Sequence, residues 1–428
     1  MKKTLLTIIS LLSLINVHAQ SEQITDTTQK REPFKFEFYG FVRNDFTFDS
    51  RQSLASTCEL FYFIPLDVSL NDHGEDLNAI PSSRFVSITS RVGFNVTSPL
   101  YRNLRIGAKI EMDLCGQANF ATMLRIRHAN VTFQWPHHRI LFGQSWHPLT
   151  SDLIPEIVSL NTGAPFGAFS RTPQLRYDAY VGPVTLSAAA IYQFQYTSPG
   201  PQGNSSNYQV FGGIPEFYIG VSVGGNGWKV GASGEYLQIR PANEIDEVRV
   251  NASVRSFAAQ LFAQYRTKHF DVAAKSIYGQ NLGHLLLMSG YGEYGYDGSD
   301  PTTVRYTPLT QSSTWLNLGY HTTNAVHNVR TGLFAGYMKN LGTTHEVTGK
   351  TYMRGFDNID QMFRISPSVK YSFKDLTIGL EYEYTGVYYG TTTPNITVTD
   401  THLVSNHRAY LICVYNFDVH FQSHKKNK

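Results

Sequence analysis

The sequence predicts an all-β protein, a transmembrane antiparallel β-barrel of about 16 strands. Three observations carry this expectation. Segment after segment alternates apolar and polar residues with a period of two, the signature of strands whose side chains point to opposite faces. The connections between segments alternate between short and long, as they do when short periplasmic turns lie at one rim and long extracellular loops at the other. Charged residues are only 16% of the chain while Tyr and Phe number 26 and 27, whereas soluble domains carry roughly a quarter charged residues.

The chain opens on "MKKTLLTIISLLSLINVHAQ", two lysines, a short apolar run and Val17-His18-Ala19. That pattern predicts a signal peptide over 1–19, cleaved after Ala19. The run is too short to span a bilayer, and no later stretch approaches the ~18 apolar residues of a membrane helix. Without Lys2 and Lys3 the mature chain is close to neutral, so charge selectivity has to be local and no nucleic-acid partner is expected. Residues 20–33, "QSEQITDTTQKREP", read as a short polar periplasmic leader.

The barrel is expected over 34–421, with a basic tail at 422–428. In "NLRIGAKIEMDLCG" (103–116), Leu104, Ile106, Ala108, Ile110, Met112 and Leu114 form one face. Arg105, Lys109, Glu111 and Asp113 form the other. In a barrel the first face meets lipid and the second a wet lumen; in a soluble sandwich they would meet a core and bulk water. The same alternation places strands near 34–49, 83–98, 102–115, 122–135, 138–146, 171–181, 184–196 and 214–224. It continues near 227–240, 249–266, 269–281, 310–322, 328–341, 361–373, 376–390 and 404–421. Short connections fall around 98–101, 136–137, 182–183, 224–227, 267–269, 321–327 and 374–375. Long ones fall at 50–82, 147–170, 197–213, 282–309, 342–360 and 391–403. Greek-key sandwiches give no reason for that regular alternation, so it favours the barrel.

No catalytic or cofactor motif is found. There is no G-x-S-x-G elbow, no H-E-x-x-H and no Gly-rich loop before a helix. His137 and His138 are adjacent, so on a strand they point apart and cannot share an ion. Glu381 and Glu383 share a strand face, but nothing supplies a substrate cleft, and they read as lumen wall. Cys58, Cys115 and Cys413 give no even framework and no C-x-x-C pair. No cofactor, no metal site and no enzymatic activity are expected.

Two features concern the lumen. Arg43, Arg91, Arg105, Lys109, Arg125 and Arg127 lie on the first four strands. Guanidinium groups in a row attract carboxylates and phosphates and stay charged at any relevant pH. Pairing with Asp45, Glu111 and Asp113 in a structural ladder is the other reading, and both hold if the arginines outnumber their partners. Arg125 and Arg127 share a face with Ala129, Val131 and Phe133, which calls for a bulge near Ala129. The second feature is "HPLTSDLIPEIVSLNTGAPFGAFSR" (147–171), a loop rich in Leu, Ile, Val and Phe. A loop that apolar packs inside the lumen or between subunits rather than standing in solvent. Inside, Asp152 and Glu156 are expected to face the basic wall and set a transverse field.

"SRVGFNV" (90–96), "KIEMDLCG" (109–116), "LRIRHANVTF" (124–133), "LFGQSWHPL" (141–149) and "RTPQLRY" (171–177) follow one another in an order that resembles the DcaP-like outer-membrane porins. The resemblance is specific over roughly 84–180 and architectural beyond it. It implies a sixteen-stranded homotrimeric barrel passing small, mainly anionic solutes such as dicarboxylates. Arg91, Arg125 and Arg127 match the family's inward arginines, and Trp146 ends the matching strand. Two departures stand out: residues 20–33 alone precede the barrel where the family has a long helical extension, and the chain runs past Phe421.

The expectation is therefore a passive porin in the outer membrane of a Gram-negative bacterium, contacting outer-membrane lipids. Arg43, Arg91, Arg105, Lys109, Glu111, Asp113, Arg125, Arg127, Asp152 and Glu156 are expected to line its pore. The competing reading is a plugged or closed barrel, acting as a lipid transporter, barrel enzyme or surface adhesin.

Overall fold

The computed structural model describes residues 32–422 apart from 57–60, 88, 118–119, 297 and 325. The expected signal peptide, leader residues 20–31 and tail residues 423–428 lie outside the described residues, as does Cys58. The described chain is a closed antiparallel barrel of 16 strands. They are β1 (Lys35–Asp49), β2 (Ser82–Val86 with Arg91–Thr97), β3 (Arg105–Gln117), β4 (Phe120–Gln134), β5 (His138–Trp146) and β6 (Arg171–Val181). Next come β7 (Val184–Ile191), β8 (Glu216–Gly225), β9 (Trp228–Ile239), β10 (Val254–Arg266) and β11 (Phe270–Gln280). The circuit ends with β12 (Arg305–His321), β13 (His327–Thr343), β14 (Ile359–Phe373), β15 (Leu376–Thr392) and β16 (Val398–Gln422).

Each strand pairs with the next, and β16 closes on β1 from Lys35 opposite Gln422 to Asp49 opposite Arg408. Closure leaves no free edge, which is what a sheet surrounded by lipid requires. The short turns carry the chemistry that reverses a strand in two residues. Asn226 and Gly227 both have positive φ, 49° and 88°, the pairing of a type I′ hairpin.

The two faces answer the question raised by 103–116. On β3, Glu111 and Asp113 are buried toward the interior while Ile110 and Leu114 are exposed on the outside. On β10, Ser256 and Gln260 point in, and Phe257 and Leu261 point out with more than half their surface exposed. A belt of such residues circles the barrel, and Trp228, Phe270, Tyr320 and Phe373 stand beside the short turns. Outward apolar residues with aromatics at the rim are what a lipid-facing barrel presents. Among the described residues no helix is long and apolar enough to cross a membrane.

Strand ends differ from the alternation in places. The strand expected over 184–196 stops at Ile191. The Gln209 side chain accepts from the Gln193 amide at 2.6 Å and donates to the Ile191 carbonyl at 3.0 Å, replacing the ladder. The strand expected from 249 starts at Val254, whereas β12 and β16 begin earlier than their alternation suggests, at Arg305 and Val398. The inward face of β12 and β13 mixes polar residues such as Gln311, Ser313 and Asn317 with Trp315, Phe334 and Met338, all buried. The three apolar ones lie in one cluster with Leu153, Phe166 and Phe169 of the long β5–β6 connection.

Candidate functional site

The charged wall of β2–β4 is organised by a bulge. The β3–β4 register shifts between Glu111 and Met112, so that Glu111 opposes His128 and Met112 opposes Ile126, with Arg127 the additional residue. One inserted residue reverses the parity of everything after it. Arg125 and Arg127 turn inward with Glu111 and Asp113, while exposed Ala129 pairs with exposed Ile110 on the outer face.

Asp113 accepts two hydrogen bonds from Arg125, both at 2.9 Å, and a third from Arg127 at 2.9 Å. Glu111 accepts from Arg127 at 2.7 Å and from the Tyr39 hydroxyl at 2.7 Å. Arg91 and Lys109 each stand 3.6 Å from Glu111. Arg127 lies against the Trp146 ring, 5.4 Å from its centre. The side chains of Lys109, Arg91 and Arg125 keep 36%, 20% and 16% of their surface, so they line space and are not sealed in the wall.

Arg171 joins this group unannounced by its sequence. It shares parity with the outward Leu175 and Tyr177, yet it is fully buried. Its guanidinium packs 4.7 Å from the Trp146 ring centre and donates to the Tyr196 hydroxyl at 3.0 Å. That hydroxyl also accepts from Arg125 at 3.2 Å. Arg91, Lys109, Arg125, Arg127 and Arg171 thus surround two carboxylates, Glu111 and Asp113. Ladder pairing and a surplus of cations coexist.

The other expected residues are placed elsewhere. Arg43 is buried against Asp45 at 2.8 Å and the Tyr410 hydroxyl at 3.0 Å. Arg105 is the first residue of β3, at the short-turn rim, about 26 Å along the strand from Asp113 at ~3.3 Å per residue.

The 147–170 segment meets much of the barrel's inner circumference. It leaves β5 through α1, a single turn over Pro148–Ser151. Lys275 of β11 donates to the Leu149 carbonyl at 2.6 Å, and Lys229 of β9 to the Asp152 carbonyl at 3.0 Å. The Glu156 amide donates to Asn317 of β12 at 3.0 Å. The Val158 amide donates to Glu381 of β15 at 2.6 Å, while its carbonyl accepts from Arg43 of β1 at 3.0 Å. On the return, the carbonyls of Ala164 and Phe166 accept from Arg364 and Ser313 at 3.3 and 2.8 Å. Among the described residues, nothing in 148–168 forms a hydrogen bond or ion pair with β2, β3 or β4.

That arrangement corrects one expectation. Asp152 and Glu156 do not face the arginines of β2–β4. The Asp152 carboxylate accepts from Tyr218, Ser233 and Gln260 at 2.8–3.0 Å, on β8, β9 and β10. Glu156 pairs with Arg330 of β13 at 2.9 Å and Lys370 of β14 at 3.2 Å. Neither meets the cationic wall: Asp152 is held by neutral donors, and Glu156 by two cations of other strands. Asp152 itself lines a polar cavity of about 210 Å³ together with Arg139, Arg176, Lys229 and Asp178.

Fold and site define a porin-like barrel of the outer membrane. Residues 11–188 match the model of the DcaP outer membrane protein family, the family that the strand motifs resemble. No curated protein matches the chain. Among solved structures the chain is similar to OmpT of Vibrio cholerae, at TM-score 0.53 and 12% identity over 91% of this chain and 99% of that one. It is similar to an anion-selective porin from Comamonas acidovorans, at TM-score 0.52 and 8% identity over 90% and 100%. It is also similar to OmpF of Salmonella typhi, at TM-score 0.51 and 12% identity over 90% and 98%. At such identities the likeness is one of fold.

Proposed function

We propose that the chain is a passive-diffusion porin for small hydrophilic anions, dicarboxylates among them, and not an enzyme. Solutes pass between the 147–170 segment and the wall of β2–β4. The observation that carries this reading is the charge imbalance there. Four cationic side chains share two carboxylates with a fifth, Arg171, packed beside them, and three of the five keep exposed surface. Because the segment bonds to β6, β8–β15 and β1 and not to β2–β4, the water-filled path borders the cationic side. A fixed charge in a narrow, partly desolvated opening acts on a passing ion at an effective dielectric below that of water. Two rigid guanidinium groups side by side suit a solute with two carboxylates.

Export through a signal peptide removed after Ala19 and assembly as a homotrimer complete the proposal. A trimer form is described for OmpT of Vibrio cholerae, similar to this chain at TM-score 0.52 and 11% identity.

The test is the reversal potential across a salt gradient in planar bilayers. Wild type should prefer anions, and Arg125→Ala with Arg127→Ala should shift the potential toward cations. The bias should fade at high ionic strength, where screening acts over less than ~8–10 Å. A cation-preferring wild type, or a double mutant with an unmoved potential, would leave the arginines as ladder partners only.

A further inference from the structure

We propose that His147, Glu216, Glu235 and His284 bind one first-row divalent transition-metal ion, zinc foremost, at the root of the 147–170 segment. The four residues come from four places in the chain. His147 follows the last residue of β5, Glu216 opens β8, Glu235 lies on β9, and His284 sits in a single 3-10 turn over Leu282–Leu285 between β11 and β12. Tyr218 is directly opposite Glu235 in the β8–β9 ladder, so Glu216 is its diagonal neighbour on the same inner face. No sequence spacing announces the group, because its members are brought together by the barrel.

The geometry suits a small ion. One ligand atom from each residue lies within 4.8 Å of the others. His284 Nε2 is 3.2 Å from Glu235 Oε1 and 3.5 Å from Glu216 Oε2, and His147 Nε2 is 3.8 Å from Glu235 Oε2. A tetrahedral site with bonds of ~2.0–2.1 Å has ligand atoms ~3.3–3.4 Å apart, so these donors need only small rotations. Two imidazole nitrogens and two carboxylate oxygens favour zinc and its first-row neighbours over calcium or magnesium, which take oxygen-only shells.

The polar inventory points the same way. His147, Glu216 and His284 have no exposed surface, and Glu235 keeps 6%. Neither ring nitrogen of His284 has a hydrogen-bond partner, nor do Glu216 Oε2 and Glu235 Oε2. Among the described residues no lysine or arginine pairs with either carboxylate. Lys275 is committed to the carbonyls of Leu149 and Thr150, and Arg176 to Asp178. Two adjacent buried carboxylates carry two negative charges, which a divalent ion balances while both imidazoles stay neutral.

His284, Glu216 and Glu235 can ligate without losing a bond to the main chain. His147 Nδ1 accepts the Leu149 amide hydrogen at 3.2 Å, which leaves the ring proton on Nε2 facing Glu216. Its entry into the shell moves that proton to Nδ1 and gives up the long Leu149 bond. The ion would tie both ends of the segment to the wall, since the Phe169 amide donates to the Leu285 carbonyl beside His284 at 2.8 Å.

The test uses full-length protein purified from outer membranes in detergent, with folding verified by heat-modifiable gel migration. Elemental analysis should find about one zinc or neighbouring ion per chain. Protein refolded with zinc should melt at a higher temperature than protein refolded with a chelator. Refolding with cobalt should give the intense visible bands of a four-coordinate site. His284→Ala should lose the bound ion. Glu235→Gln, which keeps shape and hydrogen bonding, should weaken binding by more than the ~10–100-fold that loss of an outer partner costs. Folded wild type that holds no ion as purified and melts alike with zinc or chelator would overturn the proposal. Retention of the wild-type ion content by folded His284→Ala would overturn it as well.

Discussion

Asp113 of β3 holds Arg125 of β4 through two parallel hydrogen bonds, each 2.9 Å long. Asp113 is buried while Arg125 keeps 16% of its side-chain surface, so the carboxylate orients a guanidinium that remains partly exposed. The pair is thus both a strut and part of the cationic wall. Asp113→Asn separates the two roles. It removes one of two negative charges from the cluster and should strengthen anion preference, opposite in sign to the arginine deletions. It also leaves Arg125 and Arg127 facing each other without their shared partner. The expected loss of stability is on the order of 2–3 kcal/mol, at or below the lower end for a broken buried pair because lumen water relieves part of it. Reversal potential and urea unfolding measure the two effects. A weaker anion preference in the variant would contradict the assignment.

Asp152 tests whether the 147–170 segment sets the conductance. Its carboxylate gathers hydrogen bonds from Tyr218, Ser233 and Gln260, and its carbonyl one from Lys229. Asp152→Ala leaves Tyr218, Ser233 and Gln260 without this acceptor, while the Lys229 bond to the main chain survives, at a cost of about 1–3 kcal/mol. The segment should loosen, giving larger and noisier single-channel currents. In an otherwise cysteine-free background, a cysteine at Glu156 should react with an external thiol reagent more slowly than one at exposed Ser299 of the β11–β12 connection. Unchanged currents together with equal labelling rates would place the constriction elsewhere.

Gly143 on β5 has φ of +121°, and a Cβ there would lie 2.3 Å from the Ala129 carbonyl oxygen of β4. Gly143→Ala therefore meets both backbone strain, about 1–3 kcal/mol, and a backbone clash that no side-chain rotation relieves. The β4–β5 pairing next to the arginine bulge should fail, and the heat-modifiable folded band should be reduced or lost. Gly74, in the long loop after β1, has φ of +79°, and a Cβ there would meet nothing within 4 Å, so Gly74→Ala should keep the folded band. Equal folding yields for both would remove the clash as the cause.

The strands are legible in the sequence because lipid and water impose opposite demands on alternate residues, and that demand runs the length of every crossing. The reading fails where alternation and pairing part company. Tyr192 and Phe194 continue the outward pattern of β7, but Gln209 has already taken the main-chain groups that would extend it. Arg125 and Arg127 are legible as inward only once a bulge is granted, and the register confirms where the extra residue sits. Arg171 escapes notice because its parity is that of outward residues; its burial comes from Trp146, Phe169 and Tyr196 closing around it. The destinations of Asp152 and Glu156 are not legible either. They depend on partners 66 to 214 residues away, and the apolar content of 147–171 says that the segment is covered without saying by which strands.

Outside the barrel, Arg51 and Asp76 give the long loop after β1 a measurable pH dependence. Arg51 Nη1 donates to Asp76 Oδ2 at 2.6 Å, and the amides of Ser69 and Asn78 donate to Asp76 Oδ1 at 3.1 and 3.0 Å. The Arg51 hydrogen bond, helped by the two amides, lowers the Asp76 pKa to about 2. An unfolded aspartate titrates near ~3.9. Because the folded value is the lower one, the ordering contribution of this carboxylate is present above about pH 4 and is lost as pH falls toward 2. Pepsin is active across that window, so cleavage within 66–81 reports the loss directly. In wild type the cleavage rate should rise as pH drops from about 4 to 2, relative to a reference peptide that corrects for the enzyme's own pH profile. Asp76→Asn cannot ionise and keeps only weaker, neutral bonds to Arg51. Its corrected rate should be high and flat over the same range. A flat wild-type profile, or one parallel to that of Asp76→Asn, would show that the loop is ordered by its backbone turns alone and owes nothing to this ion pair.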